Sequence, residues 1–191
     1  TPLEGWRVEG EKQCGLNINC CNANGPRAFA MIPQLACQAE DKILKLNWYG
    51  DSEAKVALGR RNAMKMTVSG NYPVSGDVAI GLELVKPADF TLALRIPEWS
   101  RNTSATLISG ADTTAVDLSE LQAGEYAKIS RKWKSGDRIE LSLDLTAHLL
   151  EQNGCQAIVR GPLVLARDSR FNDGFVDEGV VVQAASDGTV E

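Results

Sequence analysis

From about residue 41 to residue 150, hydrophobic and polar residues alternate along the chain with a period of two. Successive side chains of a β-strand point to opposite faces of a sheet, so this pattern predicts strands that each bury one face. The alternating hydrophobic positions are Leu44, Leu46 and Trp48; Met64, Met66 and Val68; Val78, Ile80, Leu82 and Leu84; Phe90, Leu92, Leu94 and Ile96; Ala127 and Ile129; and Ile139, Leu141, Leu143 and Leu145. Turn-forming residues separate these runs, for example SGNYPVSGD at 69–77 and KSGD at 134–137. The pattern predicts a mainly β protein, folded as an antiparallel β-sandwich or jelly roll.

One segment, from about residue 24 to residue 37, has the period of an α-helix instead. Asn24 suits the N-cap position, and Pro26 then falls in the first turn, where its missing N–H costs nothing. Pro33 is expected to kink or shorten the helix. The hydrophobic residues on one helical face are Phe29, Ile32 and Cys37. The sequence therefore predicts a single short helix ahead of the strands.

These patterns divide the chain into three parts: residues 1–40 with the helix, the sandwich at 41–150, and residues 151–191. The last part holds two more apolar runs, CQAIVRGPLVLAR and GVVVQAA. We expect them to complete the sandwich or to return to a neighbouring domain. The chain starts with Thr1, and no basic-then-apolar signal segment follows. We therefore expect it to begin inside a longer polypeptide.

Composition and charge exclude several classes of protein. The 191 residues are 43% hydrophobic and 24% charged, which is typical of a folded domain. The net charge is −5 and the 20 basic residues are scattered, so nucleic acid is a poor candidate partner. The sequence has no apolar run of about 18 residues, so we expect no membrane span.

Two adjacent cysteines, Cys20 and Cys21, stand just ahead of the predicted helix. Adjacent cysteines rarely bond to each other, because the ring that they would close is strained. The positive end of a helix lowers the pKa of a nearby thiol, and a thiolate there can ligate zinc or act as a nucleophile. Alternatively, both are small buried residues, since free cysteine packs as a small hydrophobe. A complete zinc site takes about four ligands, and the chain has no CxxC pair to supply them.

The other chemistry-bearing residues form no recognisable motif. His148, the one histidine, follows a predicted strand and is expected to be a packed or solvated loop residue rather than a ligand. Glu98, Asp137 and Asp173 lie in turn-like contexts, and Asp137 is expected to shape a hairpin turn. Arg27, in the first predicted helical turn, is a possible partner for a carboxylate or a substrate hydroxyl. No acid/base pair and no protease-type triad can be identified from these residues.

Five stretches together resemble one known family. They are CCNANGPR, LNWYGDSEAKV, FTLALRIPEWS, GEYAKISRKWKSGDRIELSLDL and IVRGPLVLAR, in this order between about residues 19 and 167. The family is glycoside hydrolase family 127 and its relatives, the β-L-arabinofuranosidase-like proteins. The resemblance implies an (α/α)-barrel catalytic domain joined to β-sandwich domains. Residues 1–40 would then be the end of the barrel region, and the helix its last remnant.

The resemblance also implies a retaining, zinc- and cysteine-dependent glycosidase. Carried onto this sequence, Cys20 is the nucleophile and a zinc ligand, and Cys21 is a second zinc ligand. The family's remaining ligands and its acid/base glutamate should lie upstream of the pair, and neither Glu4 nor Glu11 has a matching motif. We therefore expect this chain alone to be inactive, to bind no zinc tightly, and to act mainly as a scaffold for the missing barrel domain.

The implied substrate is a carbohydrate, an L-arabinofuranoside or related plant glycan, and the implied location is outside the cytoplasm, either periplasmic or secreted. Cys14, Cys37 and Cys155 receive no role. A different class of function stays open: a non-catalytic sandwich that packs on another domain or binds carbohydrate, with Trp48, Trp99 and Trp133 as a stacking platform if they are exposed. A thiol-redox or metal-buffering protein would rest on the cysteine pair alone.

Overall fold

The computed structural model describes residues 20–166 and 183–190. Helix α1 spans Cys20–Ala36. The strands that follow are β1 (Cys37–Glu40), β2 (Ile43–Leu46), β3 (Ser52–Ala57), β4 (Ala63–Gly70), β5 (Asp77–Leu84), β6 (Ala88–Arg95), β7 (Ser104–Ser109), β8 (Asp112–Ala115), β9 (Tyr126–Trp133), β10 (Arg138–Ser142), β11 (Ala147–Gln152), β12 (Cys155–Arg160), β13 (Leu163–Val164) and β14 (Thr189–Val190). The protein is therefore mainly β, with one helix ahead of the strands in the described part of the chain, as predicted.

The strands form three sheets. A four-stranded sheet has the order β1-β2-β6-β9, and a six-stranded sheet has the order β3-β4-β5-β10-β7-β8. The C-terminal sheet has the order β13-β12-β11-β14. Neighbouring strands are antiparallel except for β2 and β6, which run parallel with Ile43 opposite Thr91. The predicted antiparallel sandwich is thus confirmed, with one parallel pair that the alternation of residues could not reveal.

The four-stranded and six-stranded sheets share one hydrophobic core. Leu46, Leu92 and Leu94 of the first sheet and Ile80 and Ile139 of the second are each at most 1% exposed. All of these side chains belong to one cluster. The alternating positions point inward because only one face of each sheet meets the other sheet. The core thus joins the two sheets of the sandwich.

The predicted alternation fails after β2. Strand β2 ends at Leu46, so Trp48 lies in a loop and is 42% exposed. The next residue, Tyr49, is buried instead, and its hydroxyl donates a hydrogen bond to the Arg95 carbonyl oxygen at 2.7 Å. Burial raises the pKa of Tyr49 well above its usual value. The phenol can be buried here because a backbone acceptor satisfies its polar end.

The predicted helix boundaries were also wrong. Helix α1 already includes Cys20, so Asn24 is not its N-cap, and both Pro26 and Pro33 lie inside it. Each proline removes one backbone hydrogen bond from the helix, and the helix nevertheless continues past both positions. Cys37 is the first residue of β1, where it pairs with Leu46 and packs against the core.

The C-terminal sheet contacts the sandwich through Arg160, which donates to the Val74 carbonyl oxygen at 3.0 Å. Trp99 lies beside Gly161, whose φ of 57° is in the left-handed region that glycine favours. The run CQAIVRGPLVLAR forms β12 and β13, whereas most of GVVVQAA lies outside the described residues. The boundaries at residues 40 and 150 stay predictions. No helix in the described part of the chain combines the length and the apolar character needed to cross a bilayer.

Candidate functional site

The cysteine pair lies among the first described residues of helix α1. Residues 20 and 21 belong to the helical backbone rather than to a loop ahead of it. The side chains of residues 20–23 lie outside the described residues, so the predicted roles of Cys20 and Cys21 stay predictions.

The described side chains do not assemble a zinc site. No group of three or more His, Cys, Asp or Glu side chains comes together within the parts of the chain that the structure describes. Cys37 is at the other end of α1, about 25 Å from Cys20 at 1.5 Å per residue, and burial raises the pKa of its thiol. Cys155 is exposed in the C-terminal sheet. Two adjacent thiols are ligands that zinc favours, but they are half of the usual set.

Asp137 shapes a turn, as predicted, but the turn joins β9 and β10, which lie in different sheets, so it is not the predicted hairpin. The carboxylate is 2% exposed and accepts hydrogen bonds from the Ser109 hydroxyl at 2.7 Å and the Lys134 N–H at 2.9 Å. An Arg131 nitrogen lies 3.9 Å from its second oxygen. All of these partners are protein groups that hold the β9–β10 turn, so a catalytic role for Asp137 has no support.

The remaining candidate residues are dispersed. Arg27 is exposed on α1, Glu98 is exposed after β6, and Asp173 lies outside the described residues. His148 lies in strand β11, opposite Thr189, rather than in the predicted loop. Both of its ring nitrogens are buried without a hydrogen-bond partner in the described structure. A single imidazole without a neighbouring ligand or nucleophile defines no reaction.

The outer face of the six-stranded sheet carries a polar groove of about 480 Å³ that the sequence pattern did not indicate. Asp77 and Glu140 line it, and two carboxylates are what an acid/base pair requires. Asp77, however, accepts a hydrogen bond from the Ser142 hydroxyl at 2.8 Å, and Glu140 forms an ion pair with Arg138. Both carboxylates bond to other side chains of the sheet, so this groove contains no pair of carboxylates free to act as acid and base.

The three tryptophans do not form one platform. Trp133 is fully buried, stacks on Phe90 at 5.6 Å between ring centres, and donates its N–H to the Phe90 carbonyl oxygen at 3.0 Å. Trp99 is half-buried beside Gly161. Trp48 is the exposed member of the three, and its ring packs closely over Gly50. A Cβ at position 50 would lie 2.5 Å from that ring, so glycine is what allows this contact.

Helix α1 is apolar on its exposed surface. The exposed fractions are 75% for Phe29, 46% for Met31, 38% for Ile32 and 53% for Leu35. At 3.6 residues per turn these four side chains fall within one arc of about 160° around the helix, so they form one broad apolar face. In the described structure α1 contacts the sandwich mainly through its last turn, where Asn47 donates to the Leu35 carbonyl oxygen at 2.7 Å. The sequence did not indicate a structural role for Asn47, because a single asparagine after a strand belongs to no recognisable pattern.

Comparison with known proteins identifies the family. Residues 43–145 match the model of the beta-L-arabinofuranosidase GH127 middle domain. A GH127 beta-L-arabinofuranosidase from Geobacillus stearothermophilus T6 is 27% identical with a TM-score of 0.67, and the match covers 76% of this chain and 23% of that one. A structure described as a glycoside hydrolase gives the same identity and TM-score, with 76% and 24% covered.

A further GH127 beta-arabinofuranosidase, 24% identical with a TM-score of 0.61 over 76% of this chain and 26% of that one, shares the fold. The chain thus spans about a quarter of the length of these solved structures. Among curated proteins there was no match. The family model covers more than half of the residues, and the described sandwich has the fold of these structures. The chain therefore belongs to the GH127 beta-L-arabinofuranosidase family.

Proposed function

We propose that this chain is part of a retaining glycoside hydrolase that acts on L-arabinofuranosides or related plant glycans. The observation that carries the proposal is the match of residues 43–145 to the GH127 middle domain. The Geobacillus structure described as a beta-L-arabinofuranosidase supports the same substrate class. We also place the protein outside the cytoplasm, where plant glycans would be met.

In this proposal Cys20 is the nucleophile and Cys21 supports it as a metal ligand. The sulfur of Cys20 attacks the anomeric carbon while the bond from that carbon to the leaving oxygen breaks. Water then displaces the sulfur, and the two inversions together retain the configuration. An acid/base glutamate outside this chain protonates the leaving oxygen and deprotonates the water. Zinc, when bound by the pair and by further ligands, would keep the thiols deprotonated.

The sandwich would serve as a scaffold for a helical catalytic domain. The exposed apolar side chains of α1, such as Phe29 and Leu35, support this role, because an apolar helix face of this kind is normally buried against another part of a protein. Helix α1 would then be the last helix of an (α/α) barrel. We infer that the chain by itself neither hydrolyses glycosides nor holds zinc.

The test uses the full-length protein that contains this chain. Release of L-arabinose from a β-L-arabinofuranoside is measured with zinc and a reductant, for the wild type and for Cys20→Ala. Cys155→Ala is the matched control, since Cys155 is exposed in the C-terminal sheet. Activity that Cys20→Ala abolishes and Cys155→Ala leaves intact supports the proposal. Activity that survives in Cys20→Ala moves the nucleophile elsewhere, and a wild type inactive on arabinofuranosides overturns the substrate class.

A second candidate function is carbohydrate binding by the sandwich, which the position of Trp48 favours. Its indole has one side against Gly50 and is 42% exposed, and a flat aromatic face is what a sugar ring stacks on. The test is titration of this chain with arabino-oligosaccharides, measured by isothermal titration calorimetry. Saturable binding should vanish in Trp48→Ala and weaken in Gly50→Ala, whose added methyl displaces the ring. Unchanged binding in Val85→Ala, an exposed residue elsewhere, is the control.

A further inference from the structure

Asn47 connects the end of helix α1 to the sandwich through a set of four hydrogen bonds. Its backbone N–H donates to the Ala36 carbonyl oxygen at 2.8 Å. Its side-chain amide donates to the Leu35 carbonyl oxygen at 2.7 Å and to the Gln38 side-chain oxygen at 3.3 Å. Its side-chain oxygen accepts from the Tyr126 hydroxyl at 2.6 Å. The hydrogen-bonding capacity of one asparagine side chain is thus almost fully used at one point.

The hydrogen-bond partners of Asn47 show that it joins the helix end to the sheet. The last carbonyl groups of a helix have no partner within the helix, and Asn47 satisfies two of them at α1 from outside. Tyr126 begins β9, which lies two strands away from β2 in the four-stranded sheet. The hydroxyl of Tyr126 therefore fixes the Asn47 amide relative to the sheet, and Asn47 fixes the helix end.

Because α1 is long, a small rotation at its attached end displaces its other end by several ångströms. Cys20 lies about 24 Å along the axis from Ala36. A tilt of about 10° at the attached end would move the start of the helix by about 4 Å. Misplacement of a reacting group by about 1 Å can cost on the order of 100-fold in rate. The orientation of the last helical turn therefore affects where Cys20 lies.

We propose that Asn47 and Tyr126 form a clamp that sets the orientation of helix α1 on the sandwich, and that both are positioning residues for the Cys20–Cys21 pair. The clamping of the helix stands on the hydrogen bonds alone. The effect on catalysis rests on the proposed function, in which Cys20 is the nucleophile. The two parts therefore need separate measurements.

The first measurement is hydrogen exchange of the α1 backbone amides in this chain, for Asn47→Ala and Tyr126→Phe. Loss of one such hydrogen bond should speed exchange in the last helical turn by about tenfold. Ser130→Ala is the matched control, because it removes a 2.8 Å hydrogen bond to Thr91 from the same strand as Tyr126 without touching the helix. Exchange in α1 that is unchanged in Asn47→Ala overturns the clamp.

The second measurement is made on the full-length protein, with kcat and KM determined separately for Tyr126→Phe and Ser130→Ala. The clamp predicts a kcat at least fivefold lower in Tyr126→Phe, with KM and Tm close to those of Ser130→Ala. A purely structural role would lower Tm and leave kcat of the folded enzyme unchanged, and that result overturns the positioning role. If the wild type has no arabinofuranosidase activity, the proposed function fails, and hydrogen exchange alone decides for or against the clamp.

Discussion

Replacement of Asp137 by alanine should destabilise the sandwich strongly. The carboxylate is 2% exposed and joins two parts of the fold: the Ser109 hydroxyl at the end of β7, and on the β9 side the Arg131 guanidinium and the N–H of Lys134, which directly follows β9. The turn itself is docked on β5, because the Leu82 N–H donates to the Asp137 carbonyl oxygen at 2.9 Å. Loss of the Asp137 side chain therefore removes contacts that hold the turn after β9 against β7.

The magnitude follows from the two short hydrogen bonds. A hydrogen bond to a charged group contributes about 1.5–3 kcal/mol to the free energy of unfolding. Alanine removes both acceptors, while water can reach half-buried Ser109 and offset part of the loss. We expect a decrease of about 3 kcal/mol for Asp137→Ala. Asparagine keeps one acceptor for the Lys134 N–H and can donate to the Ser109 hydroxyl, so we expect about 1 kcal/mol for Asp137→Asn.

Urea unfolding of this chain, followed by tryptophan fluorescence to which buried Trp133 contributes, measures the free energy of unfolding. In a domain of this size Tm should fall by about 2–4 °C for each kcal/mol. Asp112→Ala is the control, since Asp112 is exposed in the neighbouring β7–β8 hairpin, and it should change stability by less than about 0.5 kcal/mol. A loss below about 0.5 kcal/mol in Asp137→Ala would refute the assignment of Asp137 as the structural centre of this turn.

Three further predictions concern titration, thiol reactivity and metal. Hydrogen bonds from Thr146 hold the pKa of Asp144 below its ordinary value of 3.8, so its stabilising effect is present above that value and is lost as pH falls through the lowered pKa. Asp144→Asn should therefore be less stable than the wild type at neutral pH, with the difference shrinking in acid unfolding below about pH 4; a constant difference would contradict this. Iodoacetamide labelling, located by peptide mass mapping, should modify exposed Cys155 before Cys37. Cys37 is half-buried, and burial raises the pKa of its thiol. Faster labelling of Cys37 would show that β1 opens readily. Zinc added to this chain and then dialysed against a chelator should leave less than one tenth of an equivalent, because the cysteine pair offers half of a usual ligand set; stoichiometric retained zinc would show that ligands exist elsewhere in the chain.

The candidate site divides into a part that the sequence shows and a part that it does not. The adjacency of Cys20 and Cys21 is a covalent fact visible in the sequence, but the pair was predicted to lie ahead of the helix, whereas the structure places both residues in the helical backbone. The clamp at Asn47 was not visible, because Leu35 and Tyr126 lie 12 and 79 residues away from it. Neither helical nor strand periodicity carries information about partners so distant.

The helix boundaries failed for a local reason. Asn24 and Pro26 are typical of a helix start, yet the backbone is helical from Cys20 onward. An N-cap preference is worth about 1 kcal/mol and an interior proline costs about 3 kcal/mol, yet the helical backbone continues through both positions. The exposure of Trp48 also escaped the pattern, because the end of β2 is set by pairing with β1 and β6 rather than by its own residues.

Local residue patterns were enough to identify the buried side chains of most strands and the positions of the turns. Alternation at Met64–Val68 and at Val78–Leu84, and the turn at 134–137, follow from the two-residue period and from turn-forming residues. The parallel pairing of β2 with β6, the burial of the Asp137 carboxylate, and the attachment of α1 through Asn47 arise only in the packed fold. Each of these depends on groups far apart in the chain, whose contact free energy appears only once the two sheets have packed.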